Sequence, residues 1–260
     1  MRKTFLAPLL ALSIITGVSY AQKTVKPATV QGIARPKLVV GIVVDQMRWD
    51  YLYRFYDLYK TGGGFKRLLG EGFSCDNTFV PYLPTVTACG HACIYTGTTP
   101  AINGITGNNW WDNNLQRVVY CTDDKNVFTV GSNNESAGQM SPANVLATTI
   151  TDELKLASNF HSKVWGISIK DRGAIIPAGH AANGAFWYDS KTGNFITSTY
   201  YSKSLPAWMQ QFNQRKLVDS FYEKNWTLAL DKSVYEQYCD SDENSYEARP
   251  FGDNARQMPY

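Results

Sequence analysis

The sequence predicts an α/β layered domain, a largely parallel sheet covered by helices. Three observations lead there. The uninterrupted β-branched run Leu38-Val39-Val40-Gly41-Ile42-Val43-Val44 has the pattern of a strand buried on both faces, the habit of parallel sheets. Segments of helical and of strand character alternate after it. Polar residues close the apolar runs, at Asp45, at Thr85 with Thr87, and at Lys170 with Arg172, and the carboxyl ends of strands are where such sheets collect ligands.

The elements follow in order. Trp49, Leu52, Tyr53, Tyr56 and Tyr59 recur at three- and four-residue spacing and predict a helix over 47–59, resumed at 65–69 beyond Gly62-Gly63-Gly64. Thr78-Phe79-Val80 reads as a second short strand, stopped by Pro81 and Pro84. Residues 85–95 read as a helix opening on hydroxyl side chains. Ser141-Pro142 has the order of an N-cap followed by a first-turn proline, which predicts a helix from there to about 157. Residues 162–169 return to strand, with Lys170-Asp171-Arg172 at its end. Beyond 181 the pattern changes: Phe186-Trp187-Tyr188-Asp189 and Phe195-Ile196-Thr197-Ser198 flank the turn Ser190-Lys191-Thr192-Gly193 and predict a hairpin, with a helix over 206–222 after it. Residues 239–260 are polar and show no closing core element.

Composition narrows the function classes. With 260 residues, 44% hydrophobic and 18% charged, the chain suits one large domain and excludes a disordered tail or a disulfide-packed miniprotein. The balance of 25 Lys+Arg against 22 Asp+Glu gives +3, and Arg2 and Lys3 fall in a segment expected to be removed. Nothing in the bulk charge recruits nucleic acid or anionic lipid. Residues 1–21 read as a secretory signal peptide: a basic start, an apolar stretch over 5–18, and Ser19-Tyr20-Ala21 placing small residues before Gln22. A polar leader over 22–35 follows. No other run approaches the ~20 apolar residues that span a bilayer, so the product is expected in the periplasm or medium, without a membrane span. Cys75, Cys89, Cys93, Cys121 and Cys239 make an odd count without a framework spacing, which favours buried thiols or one incidental bridge over a metal site.

Each candidate for chemistry has a plain alternative. Asp45 could cap a following helix or hold a cation. Thr87 could line the first turn of its helix, or stand as a nucleophile where helix amides attract phosphate and a metal lowers its pKa. Lys170 and Arg172, two apart at a strand end, would point the same way if the strand continued, giving a point charge and a planar fork for one anion; otherwise they belong to a solvated loop. His91, four residues after Thr87, invites a nucleophile–base pairing but suits a packing or hydrogen-bonding role better. His180 reads as structural and His161 as a surface residue.

Taken in order, Leu38 to Asp50, Pro84-Thr85-Val86-Thr87-Ala88-Cys89-Gly90-His91, Gly107-Asn108-Asn109-Trp110, Lys170-Asp171-Arg172 and Pro177-Ala178-Gly179-His180 resemble the PafA-type secreted alkaline phosphatases of the alkaline phosphatase superfamily. The resemblance runs from about 36 to 201 and more loosely beyond. It implies an alkaline-phosphatase-like fold, a mixed, mostly parallel sheet flanked by helices, and a two-zinc hydrolase of small-molecule phosphate monoesters acting through a phospho-threonine. By that resemblance Asp45 and Thr87 are metal ligands, Thr87 is also the nucleophile, and Asn108, Lys170 and Arg172 hold the phosphoryl oxygens. The family's other zinc ligands, in Asp-x-x-x-His and Asp-His motifs and a late histidine, have no match after His180. The expectation is therefore an N-terminal portion, over 36–260, of a catalytic domain incomplete at its C-terminus, with 181–260 entering a hairpin/helix insertion, inactive alone and a monomer by preference. The alternatives are a phosphodiesterase or nucleotide pyrophosphatase of the same superfamily, which lacks a matching Lys-x-Arg pair, and a secreted non-catalytic anion-binding module.

Overall fold

The computed structural model describes residues 36–240, 244–246 and 248–249. The expected signal peptide, the leader and most of the polar tail lie outside them. The chain divides into two compact units, 1–42 and 43–260. In the first, the described residues 36–42 form neither helix nor strand, and Leu38 and Ile42 are 78% and 79% exposed.

The second unit carries helices α1 (Tyr51–Arg54), α2 (Gly64–Glu71), α3 (Thr87–Thr96) and α4 (Pro100–Asn103), then the hairpin β1 (Asn109–Asp112) and β2 (Arg117–Tyr120). Strand β3 (Thr129–Val130) and helix α5 (Ile150–Ala157) precede β4 (Trp165–Ser168), α6 (Asp171–Ala178), β5 (Gly184–Asp189) and β6 (Asn194–Ser198); α7 (Ala207–Gln214), α8 (Leu217–Tyr222) and α9 (Lys232–Tyr238) follow. The four-stranded sheet is mixed and has the order β3-β6-β5-β4. Its parallel pair is β4 with β5, Trp165 opposite Gly184 through Ser168 opposite Trp187, and α6 makes the crossover. Strands β5 and β6 form the expected hairpin, closed by Gly193 at φ +72°, a left-handed conformation that glycine adopts without steric cost.

Helix α6 organises the core. Its Ile176 joins Ala88 and Ala92 of α3, Ile105, Cys121 and Val145 in one buried cluster, while Ala174, Ile175 and Ala178 join Ala185, Trp187 and Ile196 of the sheet in another. Small residues let the layers approach: a Cβ on Gly166 would collide with the Ala174 carbonyl, so β4 carries glycine where α6 crosses it.

Several sequence expectations need correction. Residues 38–44 and 78–80 are not strands; a strand is held by its ladder hydrogen bonds, these residues make none, and Phe79 is 85% exposed. The expected helix over 47–59 shrinks to α1 and a 3₁₀ turn, Tyr56–Leu58. Helix α5 begins at Ile150, not at Pro142. Ser141 instead donates to Asp124 at 2.6 Å, and the Leu146 amide is drawn to the Asn103 carbonyl at 2.9 Å, leaving a turn. The helix starts only where Thr149 and Asp152 close a reciprocal capping box. The helix expected over 206–222 is broken by Lys216 at φ +46°. The five cysteines are free thiols, Cys89 and Cys121 buried, Cys75 and Cys239 exposed.

Candidate active site

Thr87 is the first residue of α3, half-buried, with no side-chain cap bond ahead of it. Its Oγ1 donates to Asp45 Oδ2 at 3.0 Å, across 42 residues of sequence. The other carboxylate oxygen of Asp45 accepts from the Gln46 amide at 3.1 Å. Neither expected strand is present beneath Asp45, so the aspartate is placed by a turn, exposed to solvent.

Asn108 stands just before β1. Its Oδ1 accepts from the Ala88 amide in the first turn of α3 at 2.9 Å, and because that partner is an N–H, the side-chain orientation is fixed and the Nδ2 donors are left for another acceptor. Its carbonyl accepts from the Cys121 amide at 3.0 Å, closing the end of the β1–β2 hairpin.

Lys170 and Arg172 require the main correction at the site. The strand stops at Ser168, Lys170 is the N-cap residue of α6 and Arg172 the second residue of that helix. Residues two apart on a helix diverge, so the shared direction expected from a strand pitch does not hold. Lys170 is exposed and its ammonium makes no hydrogen bond or ion pair to a described residue. Arg172 is half-buried: Nη1 donates to the Tyr120 hydroxyl at 3.0 Å, while Nε is buried without a partner among the described residues. The Tyr120 hydroxyl donates in turn to Asp171 Oδ1 at 3.0 Å, and Thr122 Oγ1 donates to Asp171 Oδ2. Burial pushes the Tyr120 phenol well above its ordinary value, the Asp171 charge adds to this, and Arg172 offsets only part of it. A continuous bonded path thus runs from Thr87 through Ala88, Asn108, Cys121 and Tyr120 to Arg172. Sequence reasoning missed Tyr120, Thr122 and the role of Asp171; a tyrosine closing Arg117-Val118-Val119-Tyr120 carries no local signal of its partner 52 residues away.

The histidines fall outside this path. His91 Nδ1 lies 2.8 Å from the Thr87 carbonyl, so it donates to backbone rather than taking a proton from the hydroxyl. His180 lies between Asp152 Oδ2, 3.1 Å from Nδ1, and the Val145 carbonyl, 2.9 Å from Nε2, and ties α5 to the end of α6. His161 is exposed.

Asp45 and Thr87 offer two adjacent oxygen donors, which fit two positions around one divalent cation. Among the described residues no group of three His, Cys, Asp or Glu side chains is disposed to hold a metal, and two donors fall short of the three or so protein ligands that a zinc site takes. The arrangement suits a tetrahedral oxyanion: a hydroxyl at a helix start, amide donors from Asn108, and a guanidinium that makes no ion pair among the described residues.

The family model for type I phosphodiesterase / nucleotide pyrophosphatase matches residues 39–251. The chain is 56% identical over 231 residues to alkaline phosphatase PhoV of Synechococcus elongatus, covering 88% of this chain and 40% of that protein. The crystal structure of wild-type alkaline phosphatase PafA superposes with a TM-score of 0.85 at 50% identity, covering 88% of this chain and 44% of the other. A second PafA structure, TM-score 0.85 at 48% identity, is of a variant with a threonine replaced by serine and an asparagine, a lysine and an arginine replaced by alanine. The chain spans less than half the length of these relatives. No helix among the described residues is long and apolar enough to cross a membrane.

Proposed function

The chain belongs to the type I phosphodiesterase / nucleotide pyrophosphatase family, and from that membership we propose that it is the nucleophile-bearing portion of an exported, zinc-dependent phosphate-monoester hydrolase. The observation that carries the reading is the 3.0 Å contact between Thr87 Oγ1 and Asp45 Oδ2 at the start of α3. The four positions exchanged in the PafA variant also keep the separations along the chain of Thr87, Asn108, Lys170 and Arg172, which supports giving these four the catalytic roles.

In this reading the Thr87 oxygen attacks phosphorus, a new P–O bond forms, the ester P–O bond breaks and the alcohol leaves. Water then attacks the phospho-threonine, releasing inorganic phosphate and restoring the hydroxyl. Asn108 Nδ2 and the cations of Lys170 and Arg172 take the non-bridging oxygens, whose charge must be neutralised as the phosphoryl group transfers. Asp45 and Thr87 would hold zinc together with ligands outside the described residues. Zinc when bound would supply a Lewis acid that lowers the hydroxyl's pKa and stabilises the leaving oxygen, a role that a second zinc would share. The 260 residues alone are then inactive. A diesterase is the second reading, favoured by the description of the family model; Lys170 and Arg172 favour monoesters, whose additional charged oxygen they would meet.

The test is covalent trapping in the full-length protein. Thr87→Ala should abolish the phosphoryl-enzyme seen by mass spectrometry, and Thr87→Ser should retain it with substantial turnover. A phosphoryl-enzyme persisting in Thr87→Ala would place the nucleophile elsewhere.

A further inference from the structure

The unpaired Nε of Arg172 points to a residue that acts through the arginine. Held at Nη1, the guanidinium has no partner among the described residues on its Nε/Nη2 edge, which carries two parallel N–H donors, the geometry of bidentate phosphate recognition. What holds Nη1 is a phenol, not a carboxylate. A phenol has one proton, and Tyr120 gives it to Asp171 at 3.0 Å, so the oxygen turned to Arg172 can only accept. Asp171 is fixed in turn by Thr122, which is fully buried, and the Tyr120 ring packs against the buried cluster of Ala88, Ala92 and Ile105. Among the described residues Arg172 makes no ion pair: its immediate neighbour Asp171 bonds to the two hydroxyls and acts on the guanidinium only through space, leaving no carboxylate on its Nε/Nη2 edge.

We propose that Tyr120 is a positioning residue for phosphoryl transfer: turned by Asp171, its hydroxyl holds Arg172 at Nη1 and presents the Nε/Nη2 edge to the phosphoryl oxygens with no carboxylate occupying it. The inference rests on the phosphatase reading of the site. Because burial keeps the phenol protonated well above its ordinary range, the relay persists at alkaline pH.

The test is a double-mutant cycle in the full-length protein, reading kcat/KM for an aryl phosphate monoester and the inhibition constant of inorganic phosphate for wild type, Tyr120→Phe, Arg172→Ala and the double variant. Tyr120→Phe is expected to lower kcat/KM about 10- to 100-fold, the scale of a misplaced catalytic group, and to weaken phosphate inhibition in parallel. In the Arg172→Ala background the same exchange should change neither quantity by more than about twofold, since its effect passes through the arginine. A purely structural role would instead give losses that multiply, and that result overturns the inference, as does a Tyr120→Phe enzyme within twofold of wild type while Arg172→Ala is impaired. Arg172→Ala without effect on either readout overturns the phosphatase reading of the site, and this inference with it. If Tyr120→Phe does not fold, Asp171→Asn replaces it: the phenol proton is no longer drawn to a charge, and the same non-additivity with Arg172→Ala is expected.

Discussion

Removing the two cations one at a time should expose an asymmetry that their sequence spacing conceals. Arg172 is half-buried, fixed at Nη1 by Tyr120 and has a buried donor waiting at Nε, so its charge is preorganised. Removing a preorganised charge-stabilising donor costs about 10²- to 10³-fold in turnover. Lys170 is exposed, holds no described partner, and must be ordered by the substrate itself, at a side-chain entropy cost of up to about 2 kcal/mol and against solvent screening. Its removal should cost about tenfold or less. In the full-length enzyme, kcat/KM for an aryl monoester should therefore fall by about 10²-fold or more in Arg172→Ala, by far less in Lys170→Ala, and at least ~10²-fold in the double variant. A methyl aryl diester lacks the additional charged oxygen, so its turnover should fall much less in all three. Equal losses on both substrates would mean the pair supports the nucleophile or the fold in general, and the monoester assignment would lose its support. A larger loss in Lys170→Ala than in Arg172→Ala would refute the reasoning from burial and fixation.

Two further outcomes are expected. His180 faces two acceptors, the Asp152 carboxylate and the Val145 carbonyl, and only the doubly protonated ring can donate to both; the bond to Asp152 chiefly raises its pKa above the ordinary 6.5. Its stabilisation is full below that ordinary value and is lost as pH rises through the raised one. Burial alone would raise the Asp152 carboxyl, but His180, Thr149 and Ala181 outweigh it and hold the group low, so its share fails only in strong acid. The melting temperature should thus fall from pH 6 towards pH 9, and His180→Gln should flatten that slope; an unchanged slope would show that another group titrates. Residues 22–260 purified alone should show no aryl phosphatase activity above blank with or without added zinc, because among the described residues Asp45 and Thr87 are two donors where a zinc site takes about three protein ligands and a water or nucleophile. Turnover abolished by chelator and restored by zinc would contradict that count.

What the sequence makes legible depends on how local the cause is. The β5–β6 hairpin is legible because its turn, Ser190 to Gly193, carries its own glycine, and the start of α3 because hydroxyl residues open it. Residues 38–44 have the strongest strand character in the chain and form none, since apolar β-branched side chains supply propensity while a strand exists only through a ladder. Ser141-Pro142 carries a genuine cap signal, and Ser141 Oγ does accept from the Ala143 amide at 3.2 Å, but the Leu146 amide goes to the Asn103 carbonyl and the segment ends as a turn; the working cap, Thr149 with Asp152, is hidden eight residues on. Helix α6 is concealed by Pro177, buried near its end, and by Gly173, where a Cβ would press on Ser168 of β4, both poor helix formers.

The same distinction divides the site. Asp45 and Thr87 can be nominated because each closes or opens an apolar segment, and folding brings them to 3.0 Å; the identity of their chemistry comes from the resemblance, not from spacing. For Lys170 and Arg172 the geometry inferred from sequence does not hold, because a helix replaces the continued strand: Lys170 is its exposed N-cap residue and Arg172 a half-buried residue of its first turn. That difference changes what the pair can be. Two cations side by side would repel and share one anion as a diffuse patch, whereas in the proposed site a fixed fork on α6 and an ammonium with no described partner would divide the labour: Arg172 would orient the phosphoryl group through its Nε/Nη2 edge, and Lys170 would add charge from solvent without fixing direction. In that reading orientation would come from the hairpin end, where the Cys121 amide bonds to the Asn108 carbonyl and Tyr120 precedes it in the chain, so one element would align both the Asn108 amide and the Arg172 guanidinium with Thr87.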